Sequence, residues 1–384
     1  MDISKNIANR PVLNNYSILH VIHFTVKYNE ILALLDQVDV INYGISRNYF
    51  NGAVSRLSPY LSRGVITLPQ LKKRILERFT FEESYRYIFE LAWREYFQRV
   101  WWKYQDEILK DLKNQQEKVD HHQLIKNVVE ATTGIQAIDQ QVEQLYESGY
   151  IHNHARMYIA SITCNVGQAH WQAPSQWMYY HLLDGDVASN ALSWQWVAGT
   201  FSSKKYYCNQ ENINTYSQSE QLSTFIDMKY ENLAMLTIPK SLRETTSLNF
   251  TTLLLSPKEI QLDYSSPLLI YNSYHLDPKW KKEISANRIL LLEPSHFKKY
   301  PISEKVMKFI LHLAENIMGI QIFIGEVNEI PGIEKFLSIH SKAHPAFQHY
   351  PGQQDEVEWM FPVAELKNSF TSFWKSCEKS ITSL

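Results

Sequence analysis

Two acids, an asparagine and two tryptophans are concentrated in residues 181–200, HLLDGDVASNALSWQWVAGT. If a helix begins near Asp186, then Asp186, Asn190 and Trp194 follow at four-residue steps and share one helix face. That face would present a carboxylate, an amide and an aromatic ring together, as a ligand site does. The same pattern also fits an Asp-Gly-Asp turn that caps an aromatic core helix, so both interpretations stay open.

A second candidate site lies in residues 54–64, VSRLSPYLSRG. Serines and free backbone N–H groups that lead into a helix, with Arg56 beside them, are the ingredients of a phosphate-binding loop. The segment matches no glycine-rich phosphate motif, and a plain helix cap is the competing interpretation.

Residues 81–102 have the clearest amphipathic helical pattern of the chain. Glu90, Trp93, Arg94 and Phe97 follow at helical spacing and share one face. A solvated Glu90–Arg94 ion pair is the alternative, worth only about 0.3–0.5 kcal/mol, but a solvated face does not need the tryptophan.

A third polar face is predicted where Asn153, Arg156 and Met157 lie at helical spacing. His152 and His154 are two residues apart and point away from each other on a helix, so no metal site is predicted.

Composition narrows the class of protein. The chain has 384 residues, of which 45% are hydrophobic and 20% charged, as in a soluble globular protein of two or three domains. The net charge is −2, so a nucleic-acid partner would need a local basic groove. Three scattered cysteines exclude a disulfide scaffold, a four-cysteine zinc site and an iron–sulfur cluster from this chain alone. The N-terminus is polar and no long apolar run follows, which predicts a cytoplasmic protein.

Five motifs follow one another along the chain: SRLSPYLSRG, ELAWREYF, TGIQAIDQQVEQL, HNHARM and DGDVASNALSWQW. In this order they resemble the flavin-binding helical domain of the photolyase and cryptochrome family. The resemblance covers about residues 40–218 and implies an all-helical domain that binds FAD in a bent form. Matched position by position, it implies cofactor binding by Tyr43, Ser55, Arg56, Leu57, Ser58, Arg94, Asn153, Arg156, Asp184, Asp186 and Asn190. Within that set it implies that Arg156 pairs with Asp184 and that Asn190 faces the flavin N5.

The same resemblance implies catalytic roles for Glu90, Trp93, Met157, Asn190, Trp194 and Trp171. The first three would meet the DNA lesion, and the last two match the inner members of the family's electron-transfer chain. The outer member is not evident, and Trp196 or a tyrosine is a possible substitute. The resemblance identifies no antenna pigment.

The sequence departs from the family pattern in several places. His154 stands where a phosphate-contacting arginine is common, and Ala191-Leu192-Ser193 replaces a more usual Asn/Gly run. Lys204 and Lys205 could meet phosphate, but they fit two solvated lysines equally well.

A different pattern follows in the C-terminal part. Residues 268–272, 289–292 and 320–324 are predicted to be buried strands, and Ser303 is predicted to cap a helix that ends at Gly319. A strand–helix–strand unit favours a small parallel sheet. We predict a mainly α fold: a helical FAD-binding domain over 1–218, a linker over 219–260 and a Rossmann-like α/β domain over 261–384, moved to the C-terminus relative to the family.

The resemblance implies a light-dependent flavoprotein, similar to a DNA photolyase, that repairs cyclobutane pyrimidine dimers in UV-damaged DNA. The alternatives are a cryptochrome-like light sensor or electron-transfer flavoprotein acting through a protein partner, and a scaffold that keeps the fold without flavin.

Overall fold

The structure is a computed structural model that describes residues 22–254, 256 and 259–382. The ends of the predicted domains at residues 1 and 384 lie outside these residues. The helices of the first part are α1 (Tyr28–Asp36), α2 (Val40–Ser46), α3 (Ser58–Ser62), α4 (Leu68–Leu76), α5 (Phe81–Tyr104), α6 (Lys126–Val129), α7 (Gln136–Ser148), α8 (Asn153–Ser161), α9 (Gln172–His181), α10 (Val187–Ala198), α11 (Gln210–Ser217) and α12 (Tyr230–Leu233).

The longest of these helices, α5, has a strong start signal in the sequence. The Thr80 hydroxyl accepts a hydrogen bond from the Glu83 amide, and the Glu83 carboxylate accepts one from the Thr80 amide at 2.8 Å. This reciprocal capping satisfies two of the N–H groups that a helix start leaves unpaired. The predicted helix over 81–102 is confirmed and ends two residues later, at Tyr104.

Helix α10 lies between two apolar cores. Asp186 caps its start by accepting from the Ser189 amide at 2.7 Å, and Gly199 ends it with a φ of +86°, a conformation that favours glycine. Leu192 belongs to one core and Trp194 to the other. The predicted helix start near Asp186 is therefore confirmed, and the helix is buried on both sides.

The C-terminal part contains a five-stranded sheet. Its strands are β3 (Leu268–Tyr271), β4 (Asn287–Leu292), β5 (Ile320–Ile324), β6 (Ile339–Lys342) and β7 (Gln353–Asp355), and its helices are α13 (Pro294–Lys299), α14 (Glu304–Ala314) and α15 (Phe370–Thr382). The strands lie in the order β5-β4-β3-β6-β7, and every neighbouring pair is parallel. The predicted parallel sheet is confirmed.

Some details of that prediction are wrong. The strand at 320–324 is only half-buried, because β5 is an edge strand with one neighbour. Helix α14 is capped by Ser303 as predicted, but it ends at Ala314, before a turn that leads to Gly319. The sequence interpretation also missed β6 and β7, which contain too many polar residues for an apolar run.

The sheet packs on the helical part through a shared core. Ile31 of α1, Ile88 of α5 and Ile270 of β3 belong to one continuous cluster of buried side chains. The segment 219–260, predicted as a linker, is itself attached to the helical part: β2 (Thr245–Thr246) pairs antiparallel with β1 (Leu124–Ile125). Within residues 22–254 and 259–382, no helix is both long enough and apolar enough to cross a membrane.

Candidate functional site

A cavity of about 560 Å³ opens between α5, α8, α10 and residues 54–58, a size typical of small-molecule sites. Every side chain to which the sequence assigned a role lines it, with the exception of Trp171. These lining residues are Tyr43, Ser55, Arg56, Leu57, Ser58, Glu90, Trp93, Arg94, Asn153, Arg156, Met157, Asp184, Asp186, Asn190 and Trp194. The three polar faces predicted on separate helices therefore meet around one space.

The centre of the polar wall is an ion pair between α8 and the loop before α10. An Arg156 guanidinium nitrogen lies 2.9 Å from one Asp184 carboxylate oxygen and 3.0 Å from the other. Ser58, at the start of α3, donates to the same carboxylate at 2.7 Å. The Asp184 side chain is 4% exposed and that of Arg156 is 21% exposed. The pair implied by the resemblance is formed, and it ties three separate segments together.

The second acid and the asparagine of the DGD stretch are fixed by hydrogen bonds behind the cavity. Asp186 accepts from Gln98 Nε2 at 2.6 Å in addition to capping α10. The Asn190 amide nitrogen donates to the Ser175 carbonyl and hydroxyl, each at 2.9 Å. Because the nitrogen is engaged there, Oδ1 is the atom of Asn190 left to accept from a ligand.

The acid on α5 has an ion-pair partner that the sequence interpretation did not foresee. Glu90 pairs with Arg47 at 3.3 Å, whereas Arg94 donates to the Ser62 hydroxyl at 2.6 Å. The alternative of a solvated Glu90–Arg94 pair is therefore wrong, because Arg94 reaches across to α3. Burial raises the pKa of the Glu90 carboxyl, and the Arg47 charge offsets part of that rise.

Two indoles separate the cavity from a second one of about 850 Å³. Trp93 and Trp196 line both cavities, and the Trp196 ring lies 5.8 Å from the ring of Tyr206. The second cavity also contains Lys113, Lys204, Lys205 and Glu117.

The one assigned residue outside the cavity, Trp171, is buried in the same apolar core as Trp194. Its indole N–H donates to Asp111 at 2.7 Å, and the His170 ring lies 5.8 Å from it. An electron-transfer role for Trp171, and the identity of an outer member, stay predictions.

Sequence reasoning missed several side chains that position the site. Gln98 lies four residues after Arg94, so the face predicted on α5 could have been extended to it. Arg47 and Ser175 gave no such signal, because they meet their partners across 43 and 15 residues of sequence.

His154, the departure from the family pattern, lies in the cavity wall between two aromatic rings. Its ring centre is 4.7 Å from those of Tyr216 and Tyr158. Burial, and then the nearby charge of Arg47, lowers the pKa of His154 to about 4, so the ring is neutral at physiological pH.

We expect this histidine to contribute to acid destabilisation. Its unfolded pKa is about 6.5, so between about pH 4 and 6.5 the unfolded chain binds the additional proton and stability falls as the pH is lowered. His154→Gln should reduce the slope of unfolding free energy against pH by up to about 1.4 kcal/mol per pH unit within that window. Urea unfolding at pH values from about 4.5 to about 7 measures this slope. The matched control is His312→Gln, which replaces an exposed histidine. Equal slopes for His154→Gln and the unmodified protein would contradict the prediction.

Comparison with known proteins gives a consistent set of similarities. Residues 87–268 match the family model of the FAD binding domain of DNA photolyase. A deoxyribodipyrimidine photo-lyase of Streptomyces griseus is 43% identical over 68 residues, which are 18% of this chain and 15% of that protein. The deoxyribodipyrimidine photo-lyase of Buchnera aphidicola is 27% identical over 175 residues, 41% of this chain and 35% of that protein. Cryptochrome-1 of Arabidopsis thaliana is 29% identical over 80 residues, 21% of this chain and 12% of that protein.

The matched segments thus span about a third or less of these relatives' own length. Among solved structures, a Synechocystis cryptochrome aligns with a TM-score of 0.48 at 26% identity, over 53% of this chain and 45% of that chain. A class III photolyase from Agrobacterium tumefaciens aligns with a TM-score of 0.43 at 23% identity, over 56% of this chain and 52% of that chain.

Proposed function

We propose that this chain is a light-dependent flavoprotein that repairs cyclobutane pyrimidine dimers in DNA. The premise is that the chain belongs to the photolyase and cryptochrome family, since its residues 87–268 match the FAD-binding domain of that family. The observation that carries the proposal is that Glu90, Trp93, Met157 and Asn190 line the same cavity as the polar groups suited to FAD. Together these side chains offer aromatic, apolar and hydrogen-bonding contacts for a base beside the cofactor.

The residues present fit FAD. The Ser189 hydroxyl is buried in the cavity wall and has no hydrogen-bond partner among the described residues. Arg56 lines the cavity and has no carboxylate within ion-pair distance in the part of the chain that the structure describes. Phosphate, ribityl hydroxyl and ring carbonyl groups are the partners that such donors need.

In the proposed complex, Arg56 and Ser58 hold the phosphate side of FAD, and Arg156, Asp184 and Asn190 contact its ring system. When bound, reduced FAD supplies on blue-light excitation the electron that opens the cyclobutane ring, and it takes the electron back afterwards. The protein residues bind and orient the two reactants.

The lesion has to leave the base stack to reach this cavity. Trp93 and Trp196 offer aromatic surfaces for the flipped bases, and Met157 adds an adaptable apolar contact. Glu90 lies in the same wall, where one carboxylate oxygen is paired with Arg47 and the other can accept a hydrogen bond from a base N–H.

The decisive experiment irradiates the reduced, flavin-loaded protein with an oligonucleotide that contains one cyclobutane thymine dimer. We expect light-dependent loss of the dimer, no loss in the dark, and a strongly reduced rate for Glu90→Ala. Flavin-loaded protein that leaves the dimer intact under light would overturn the repair proposal in favour of a light sensor, which the net charge of −2 also fits. Colourless protein that takes up no FAD would overturn both the repair proposal and the light-sensor alternative.

The lysines of the second cavity are expected to contact the DNA backbone. The ammonium groups of Lys113 and Lys205 donate to the backbone carbonyls of Asn368 and Glu117, at 2.9 and 2.7 Å, and burial lowers the pKa of both groups. Lys204 is exposed on the same rim. Phosphate groups would supply the negative charge that such a cluster favours.

We therefore expect Lys204→Ala to weaken binding of dimer-containing DNA and to reduce the slope of log affinity against log salt by about one. Fluorescence anisotropy over a salt series measures both quantities. Lys308→Ala removes another exposed lysine, which pairs with Glu304 on α14, and should change neither quantity. An unchanged salt slope for Lys204→Ala would remove this residue from the DNA interface.

A further inference from the structure

Trp93 is stacked on an aromatic ring from the far end of the chain. The Phe370 ring lies 3.6 Å from the Trp93 ring, with an angle of 12° between their planes. Phe370 is the first residue of α15 and lines the second cavity but not the first, whereas Trp93 lines both. Phe370 therefore covers the side of the indole that faces away from the proposed FAD and lesion cavity.

The segment before α15 is fastened to the outer side of α5 by a buried ion pair. Glu95 accepts hydrogen bonds from the backbone amides of Met360 and Phe361, and Arg99 donates to the carbonyls of Phe361 and Val363 at 2.8 and 2.6 Å. Glu95 and Arg99 also bond to each other at 3.0 Å. The place at which the chain enters α15 is thus fixed relative to α5.

Two further bonds hold the residues immediately before Phe370. The Tyr96 hydroxyl donates to the Lys367 carbonyl at 3.2 Å, and Lys113 donates to the Asn368 carbonyl at 2.9 Å. Within α15, Trp374 donates to the Tyr85 hydroxyl at 3.0 Å and packs on Phe89. Helix α5 therefore carries the lesion residues on one side and holds the ring that supports Trp93 on the other.

We infer that Phe370 is a positioning residue, which fixes the plane of the Trp93 indole so that the indole can stack on a flat heterocyclic base in the first cavity. This inference rests on the proposed function for the identity of that base. The contact with Phe370 itself is a property of the chain that holds whatever the cavity binds.

The physical reason is the free space behind Trp93. Without the Phe370 ring, the indole would face the second cavity of about 850 Å³ and could rotate into it. A stacked aromatic pair favours one arrangement over its alternatives by about twofold to tenfold. Loss of Phe370 should therefore weaken stacking of a bound base on Trp93 by a factor in that range.

The test compares Phe370→Ala, the conservative Phe370→Tyr and the control Trp374→Phe in the flavin-loaded, full-length protein. Trp374→Phe removes a contact of the same helix with α5 but leaves the rings of Phe370 and Trp93 in place. The first measurement is fluorine NMR of protein labelled with 5-fluorotryptophan, with the Trp93 resonance assigned by its loss in Trp93→Phe. The second is the dissociation constant of an oligonucleotide with one thymine dimer.

We expect Phe370→Ala to shift and broaden the Trp93 resonance and to raise the dissociation constant about twofold to tenfold, with flavin content unchanged. Phe370→Tyr should restore both values, and Trp374→Phe should leave both near those of the unmodified protein. An unmoved Trp93 resonance in Phe370→Ala, or equal effects of Trp374→Phe, would overturn the inference. If the unmodified protein does not discriminate dimer-containing from undamaged DNA, the proposed function fails, and the NMR comparison still decides the role of Phe370.

Discussion

Asp184→Asn is expected to lower the affinity for FAD by about a hundredfold, the largest effect on function of any single change in the cavity. The Asp184 carboxylate is almost fully buried and accepts from both Arg156 and Ser58. Asparagine keeps the shape but removes the charge, so the Arg156 guanidinium loses its counter-charge beside the ligand. Removing one partner of a buried pair costs about 3–5 kcal/mol, and we expect the lower end because Arg156 reaches solvent.

The flavin-to-protein ratio of purified Asp184→Asn, followed by titration with FAD, measures this effect. Asp106→Asn is the matched control, because Asp106 forms an exposed ion pair with Lys299 on the surface and should leave flavin binding unchanged. Circular dichroism shows whether each variant is folded. A folded Asp184→Asn protein that binds FAD as tightly as the unmodified protein would mean that the Arg156–Asp184 pair does not serve the cofactor.

Local periodicity was sufficient to predict the elements that position the site. The start of α10 at Asp186, the span of α5 and three strands of the sheet follow from capping residues and apolar spacing within one element. The three polar faces were visible for the same reason, since side chains four residues apart on a helix are neighbours. The resemblance to the family then predicted that these three faces meet around one flavin.

Contacts between distant segments could not be predicted in this way. Spacing alone favoured Arg94 as the partner of Glu90, but the partner is Arg47, which α2 brings within 3.3 Å. The sequence offered Trp196 only as a substitute for the outer electron-transfer member, and only the structure places it between two cavities. The segment 356–369 has no helical or strand period. Glu95 and Arg99 hold it through its backbone, and backbone contacts leave no pattern in residue types.

Glu95 holds that segment, and Glu95→Gln is expected to have the largest effect on stability. We expect it to lower the unfolding free energy by about 3–5 kcal/mol. The Glu95 side chain is 0% exposed, and its two oxygens accept from Arg99 and from the amides of Met360 and Phe361. Glutamine offers only one oxygen, so its NH2 group would face N–H donors, and the guanidinium of Arg99, 7% exposed, would lose its counter-charge.

Urea unfolding at neutral pH measures this loss, and Glu107→Gln is the matched control. Glu107 forms an exposed pair with Lys110 at 2.8 Å on the surface, and its replacement should change the unfolding free energy by less than about 1 kcal/mol. Because Glu95 holds the chain that enters α15, limited proteolysis of Glu95→Gln should cut first within residues 356–369, before the helical part is attacked. Equal and small losses for both variants would mean that the C-terminal segment is held by the aromatic contacts of α15 alone, with the Glu95–Arg99 pair contributing no net stability.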